Sequence, residues 1–383
     1  MTELFAELIS LQQEAIDIVS GLSETHSHQQ FHSDLSPIAW HLGHCVYTES
    51  YWIQEQLLGQ TIKDSQLKSL YVPELSKKSI RGAKLPEKNT FIEWAKDKQQ
   101  QNIKNLNTAI NERLKHHLLN NQFLLYFLIQ HYSQHIETMH MGMTEIQIKN
   151  ISHEIEITHP LTAKTPNQQT NTIKDGVYKI GSDNKNHCYD NEYPTQTIEL
   201  KTFHISSLPV TNAEYLAFIN DGAYQQAHYW STEAWRWCQE NHIAHPHHWR
   251  QQNGQWLGIN HHGPYQLADN RPIYGLSYYE AAAYANWAGA RLPHEYEWET
   301  AFNQKLLENT ALAWEWCSNT FHPYPDFSPY PYATYSAPYF DDAHYVMRGG
   351  SCYTKDSIKR ASFRNYYTAE KRHIFAGLRL AYD

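Results

Sequence analysis

The sequence predicts an α+β protein in two parts: an N-terminal four-helix bundle, then a domain of short strands and much irregular backbone. Three observations predict it. Apolar side chains recur at spacings of three and four through the first 150 residues. Beyond them lie only short strand-like runs. A polar, proline-containing stretch separates the two textures. A chain of 383 residues has room for two or three domains and a large core, so neither disulfide nor metal is needed merely to fold.

Residues 3–22 (ELFAELISLQQEAIDIVSGL) carry the helical spacing, with Gly21 as a stop. A second helix begins at Ser36-Pro37, where serine can cap and proline suits the first turn, and runs through IAWHLGHCVYTESYWIQEQLLG to Gly59. The stretch 60–88, with Pro73, Gly82 and Pro86, reads as irregular. A third helix fits 89–116 and a fourth 119–148. Four long helices with one long connection make a bundle, residues 1–150. Residues 151–174, including HPLTAKTPNQQTNTIK, read as a linker. The second domain, 175–383, shows strand-like GVYKIGS, TIELKTFHIS and YVMRGGS and helical 211–220 and 278–288. Its irregular backbone calls for packing by tryptophan and tyrosine, of which the whole chain holds 12 and 27.

Composition excludes several classes. No apolar run approaches the roughly 20 residues of a membrane span, and the acidic N-terminus lacks the basic start of a secretory signal. A net charge of −9 argues against sequence-independent nucleic-acid binding. Cys45, Cys188, Cys238, Cys317 and Cys352 are odd in number and widely spaced, as in a cytoplasmic protein with free thiols.

The chain holds 25 histidines, and two carry the sharpest signal. His131 and His135, in HYSQH, stand at i and i+4 on the fourth helix, so their ring nitrogens can converge on one ion. His41 and His44, in WHLGHC, lie in an otherwise apolar second helix, where a buried imidazole needs a polar partner or a metal. Either one, with the pair, makes three neutral nitrogens with open coordination positions, a set that suits zinc or non-haem iron(II). The plainer reading is a group of hydrogen-bonded core histidines. In the second domain, ARLPHEYEWE (290–299), AWEWCSN (313–319), RGGSCYT (348–354), FRNYY (363–367) and AGLRLA (376–381) stand out. Taken singly they are aromatic packing and turns, with Arg348, Arg364 and Arg379 as buried ion-pair partners.

Together with YDNEYP (189–194) and PVTNAEYLAFI (209–219), these motifs occur in an order that resembles one family across essentially the whole chain. The C-terminal domain looks like the formylglycine-generating-enzyme/sulfatase-modifying fold, a compact C-type-lectin variant. The N-terminal bundle looks like a DinB-like domain. The pairing resembles the EgtB-like, iron-dependent sulfoxide synthases of ergothioneine biosynthesis and their selenoneine-forming (SenA-like) relatives.

What the resemblance implies is specific. Fe(II) is the cofactor, with His44, His131 and His135 as its ligands. Gln134 hydrogen-bonds the substrate imidazole, and Asn365 with Tyr366 holds the trimethylated histidine. Tyr332 and Tyr335 match the catalytic tyrosine pair, Tyr332 as the proton donor. Arg81 sits where the family places a carboxylate-binding arginine. The family's γ-glutamylcysteine-using members carry an acidic residue two after the asparagine and an arginine further on. Here those positions read Tyr367 and, most nearly, Lys371 or Arg372. Without that carboxylate the donor's ammonium loses a partner, which favours cysteine over γ-glutamylcysteine. Cys352 has no second cysteine following it, so the thiol chemistry of formylglycine-generating enzymes is not expected.

The resulting expectation is an Fe(II)- and O2-dependent enzyme that joins a thiol to the imidazole C2 of hercynine. Its partners would be small molecules, with neither nucleic acid nor membrane, and the chain a monomer or weak homodimer. The first alternative is a selenosugar donor, giving selenoneine. The others are a DinB-like zinc thiol transferase and a non-catalytic binding protein.

Overall fold

The computed structural model describes residues 2–62, 64–151, 154–167, 169–183, 187–332 and 334–383. The chain divides into two compact units, Met1–Asn150 and Ile151–Asp383, and the protein is of mixed α+β class. Among the described residues, no helix is long and apolar enough to cross a membrane.

The first unit is built on four long helices, Thr2–Ser20, Ile38–Ser50, Lys88–Asn111 and Phe123–Lys149. The first buries Leu8, Leu11, Ala15, Ile16 and Val19, the stripe its spacing requires. The second continues as a π-helix, Tyr51–Leu57. Its start differs from expectation. Pro37 occupies the cap position with no side-chain cap, and Ser36 Oγ instead accepts a hydrogen bond from Arg81 Nη1 at 2.5 Å. The third helix ends before 116 because Arg113 turns into the left-handed region (φ 54°).

The stretch 60–88 contains the α-helices Ser65–Tyr71 and Lys78–Arg81. Neither is long enough to display a helical period in sequence. Trp40 Nε1 ties the first to the bundle by donating to the Leu70 carbonyl, and Ser76 Oγ donates to the same carbonyl from within the connection, each at 2.8 Å.

One buried polar network joins all four long helices. Gln12 Nε2 donates to both Glu49 carboxylate oxygens (3.0 and 2.9 Å), Tyr132 Oη donates to Glu49 (2.8 Å), and Gln99 Nε2 donates to Tyr132 Oη (3.1 Å). Each helix therefore contributes a polar side chain satisfied only in this register.

The second unit holds a four-stranded sheet in the order Asn365–Thr368, His344–Gly350, Ala313–Thr320, Ala376–Gly377, antiparallel except for the last pair. A three-stranded sheet places Phe203–Ser206 between Thr170–Ile173 and Ala381–Tyr382. The strand Thr170–Ile173 falls inside the stretch read as linker. Ile173 draws it in by burying against Phe203, Ile205 and Ala301. A hairpin (Gly176–Ile180, Gln196–Leu200) and a meander (Trp249–Gln252, Gln255–Asn260, Gly263–Gln266) complete the strands, the meander unforeseen in sequence.

The arginines of the C-terminal motifs are ion-pair partners, as their plainer reading had it. Arg348 pairs with Glu299. Arg364 grips Glu295 through two bonds (2.8 and 2.7 Å), and Arg379 grips Glu315 likewise (both 2.8 Å). Two of the glutamates belong to HEYEWE and one to WEW, so these motifs are each other's counter-ions. Breaking one such buried pair leaves a charge without its partner, at a cost of about 3–5 kcal/mol.

Candidate metal centre

His131 and His135 project from successive turns of the fourth bundle helix, their ring centroids 4.5 Å apart. His44 faces them from the second helix, its centroid 5.1 Å from His131 and 4.7 Å from His135. One ligand-type nitrogen from each of the three lies within 4.8 Å of the other two. His44 and His131 are nearly fully enclosed, at 9% and 8% exposure, and His135 is partly buried.

Burial pushes the His44 imidazole down from 6.5 to about 4, against the opposing pull of its hydrogen bond to Tyr71. His131 and His135 are driven well below the ordinary histidine range, by burial first and then by neighbouring imidazoles. Neutral imidazole is the ligating form.

The surroundings also orient the nitrogens. His44 Nδ1 lies 2.7 Å from the Tyr71 carbonyl oxygen. A carbonyl only accepts, so the proton sits on Nδ1 and the lone pair on Nε2. That Nε2 lies 3.2 Å from His131 Nε2. The approach of Tyr71 depends on Gly43, where a Cβ would stand 2.2 Å from the Tyr71 ring. Trp40 stacks on His44 (centroids 5.0 Å, planes 12° apart). His131 Nδ1 is buried without a hydrogen-bond partner. Three neutral, enclosed nitrogens gathered around one point fit a divalent ion with open coordination positions, iron(II) or zinc. His41 is adjacent, its Nδ1 3.0 Å from His135 Nδ1.

Gln134 precedes His135, so its Cβ points about 100° around the helix from that ligand. It is partly buried. Arg81 is 3% exposed. Its guanidinium lies 3.8 Å over the Trp40 ring and donates to Ser36 Oγ, Ser76 Oγ and the carbonyls of Pro73 and Ser76. These bonds hold the 65–81 segment to the bundle.

In the second unit Tyr332, Tyr335 and Tyr366 come together. Tyr332 and Tyr335 meet edge to face at 6.0 Å, and Tyr366 Oη donates to the Tyr335 carbonyl (3.2 Å). Tyr335 stacks on Tyr189 (4.3 Å, 14°), and burial raises its hydroxyl well above the usual tyrosine range. Tyr332 is exposed. Asn365, Tyr366 and Tyr367 lie on one strand. Alternation sends Tyr366 to the face of Phe321, on which it stacks at 4.1 Å, and Asn365 and Tyr367 to the other. Tyr367 meets His373 edge to face. Arg372 forms a part-buried pair with Glu280 (2.8 and 2.9 Å) and donates to the His245 carbonyl.

Sequence reasoning missed the Tyr71 carbonyl and the Trp40 stack. The one signal available was Gly43, a glycine in mid-helix whose cost implies a close neighbour.

Comparison with known proteins bears on both units. Residues 157–310 and 312–383 match the sulfatase-modifying factor enzyme 1-like domain. The chain belongs to this sulfatase-modifying family. Residues 7–139 match the DinB superfamily, and with both domains in this order it is a member of the EgtB-like family that its motifs resemble. Over 447 aligned residues this member is 27% identical to a hercynine oxygenase of Mycolicibacterium smegmatis, covering 100% of this chain and 99% of the relative. A hercynine oxygenase of Mycobacterium tuberculosis is 34% identical over 51% of this chain and 56% of its own. Ergothioneine biosynthesis protein 1 of Schizosaccharomyces pombe is 29% identical over 50% of this chain and 27% of its own.

Proposed function

We propose that this EgtB-like chain is an ergothioneine-pathway enzyme acting on hercynine. In finer terms it is a non-haem iron(II)- and O2-dependent synthase joining cysteine, in preference to γ-glutamylcysteine, to the imidazole C2. The observation that carries the reading is the enclosed cluster of His44, His131 and His135. It is supported by a full-length likeness to a hercynine oxygenase. The overall reaction balances as thiol plus imidazole C–H plus O2 giving the sulfoxide and one water.

A bound Fe(II) would supply the electron transfer between O2 and the thiol. The chain's own residues do the rest. Three imidazoles hold the ion and leave coordination positions open. Gln134 offers its amide to the substrate imidazole at the edge of the ligand face. Tyr332 Oη holds the proton that is delivered as the carbon–sulfur bond forms, with Tyr335 packed beneath it. The donor preference is supported by Tyr367, which has no carboxylate to ion-pair with an ammonium, and by Arg372, already paired with Glu280. The same surroundings suit an uncharged selenosugar, which is the second reading.

The test is metal analysis joined to oxygen uptake. Iron near one per chain with hercynine-dependent O2 consumption supports the synthase. Zinc without O2 consumption points instead to a thiol transferase, and no metal at all to a binding protein. Either outcome overturns the proposal.

A further inference from the structure

His41 stands one turn before His44 on the second bundle helix. It is 6% exposed, its Nδ1 lies 3.0 Å from His135 Nδ1, and its Nε2 is buried without a hydrogen-bond partner. At that separation one imidazole donates and the other accepts, so a single proton lies between them. Which ring owns it follows from the metal centre. With Nδ1 of His135 turned to His41, the nitrogen left to ligate is Nε2. A neutral ring that ligates through Nε2 carries its proton on Nδ1. His135 is then the donor and His41 Nδ1 the acceptor, and the proton of His41 itself sits on Nε2.

We propose that His41 is a positioning residue for the metal centre: a neutral imidazole that accepts the Nδ1–H of His135 and so sets that ligand's tautomer and ring orientation. It does for His135 what the Tyr71 carbonyl does for His44. The proposal rests on the three-histidine metal reading. Ligating histidines commonly hand their second N–H to a carbonyl, a carboxylate or water, and losing that acceptor typically costs 10- to 100-fold in metal affinity. An imidazole acceptor is neutral, so it orients the ligand without adding a negative charge to the centre. Trp40 packs edge to face against the His41 ring (5.5 Å, 82°), which restrains the acceptor itself.

The test compares His41→Leu, which removes the acceptor, with His41→Asn, whose Oδ1 stands where Nδ1 did. Metal-free chains are titrated with Zn(II) and with Fe(II) under argon, and folding is checked by circular dichroism. The expected result is a roughly 10- to 100-fold loss of affinity in His41→Leu and a largely restored affinity in His41→Asn. A second measurement needs no variant. In zinc-loaded wild-type chain, long-range proton–nitrogen NMR should find the His41 ring neutral, protonated on Nε2, with no nitrogen bound to metal. Wild-type affinity retained in folded His41→Leu, or a His41 nitrogen bound to zinc, would overturn the assignment. If wild-type chain takes up neither metal, the three-histidine reading itself fails. Should His41→Leu not fold, the wild-type spectrum decides.

Discussion

The carbonyl oxygen of Tyr71 accepts the Nδ1–H of His44 at 2.7 Å. This single bond couples a short helix in a proline-interrupted connection to the histidine cluster of the bundle. It assigns the proton of His44 and turns the Nε2 lone pair toward His131. The same connection is fastened by Trp40, Ser76 and Arg81, so its packing and the geometry of the three-histidine cluster are one problem.

Gly43→Ala tests that coupling. The added methyl meets the buried Tyr71 ring, and overpacking of this kind costs about 1–3 kcal/mol. Displacing Tyr71 also withdraws the acceptor from His44, so metal affinity should fall roughly tenfold or more while the chain remains helical. Isothermal titration with Zn(II) and thermal unfolding measure the two effects separately. A variant destabilised but unchanged in affinity would uncouple them.

Gln134→Leu should weaken hercynine binding and leave the metal in place. A net hydrogen bond of about 0.5–1.5 kcal/mol corresponds to roughly 2- to 12-fold in Kd. Calorimetry with the metal-loaded chain reads it, and an unchanged Kd counts against the residue.

Tyr332→Phe should divert the product. Only a hydroxyl at an exposed position is lost, so stability should change little. Without the proton, oxygen is spent on the thiol alone, cysteine plus O2 giving the sulfinic acid. Mass spectrometry of sulfinic acid against conjugate gives the partition. An unchanged ratio at unchanged rate shifts the role to Tyr335.

Glu49 supplies a pH test within the bundle. Burial raises its carboxyl from 4.5 to about 7, against hydrogen bonds from Tyr132, Gln12 and Asn102. A folded-state value above the unfolded one means the folded chain keeps a proton that the unfolded chain has lost. The contribution is fully present below 4.5 and is lost as pH rises through 7, in total about 3 kcal/mol. Urea unfolding across that window should show Glu49→Gln gaining on wild type as pH rises, and parallel curves would refute it.

These residues also show what was legible in sequence. His131 and His135 were visible because helical spacing puts i and i+4 on one face. His44 was visible as an imidazole in an apolar helix, beside a His41 that spacing alone could not separate from it. The motif arginines were legible as ion-pair partners because so many carboxylates recur among them. The Tyr71 carbonyl was not, since every residue has one and only tertiary packing selects it. The partners of Arg81 and Arg372 were hidden for a related reason: a residue type declares a charge, and the fold decides that Ser36 and Glu280 receive it. The helices Ser65–Tyr71 and Lys78–Arg81 were hidden by length, and the strand Thr170–Ile173 by a polar sequence in which Ile173 alone is buried.

The most direct test of the central claim is the mass of the product. The chain is loaded anaerobically with Fe(II), then given hercynine in air with cysteine, γ-glutamylcysteine and a selenosugar in parallel. The account predicts an iron-dependent hercynyl–cysteine conjugate carrying one added oxygen, formed faster than any γ-glutamylcysteine product. Hercynine returned unchanged with every donor, or conjugate formed equally well without iron, would contradict it.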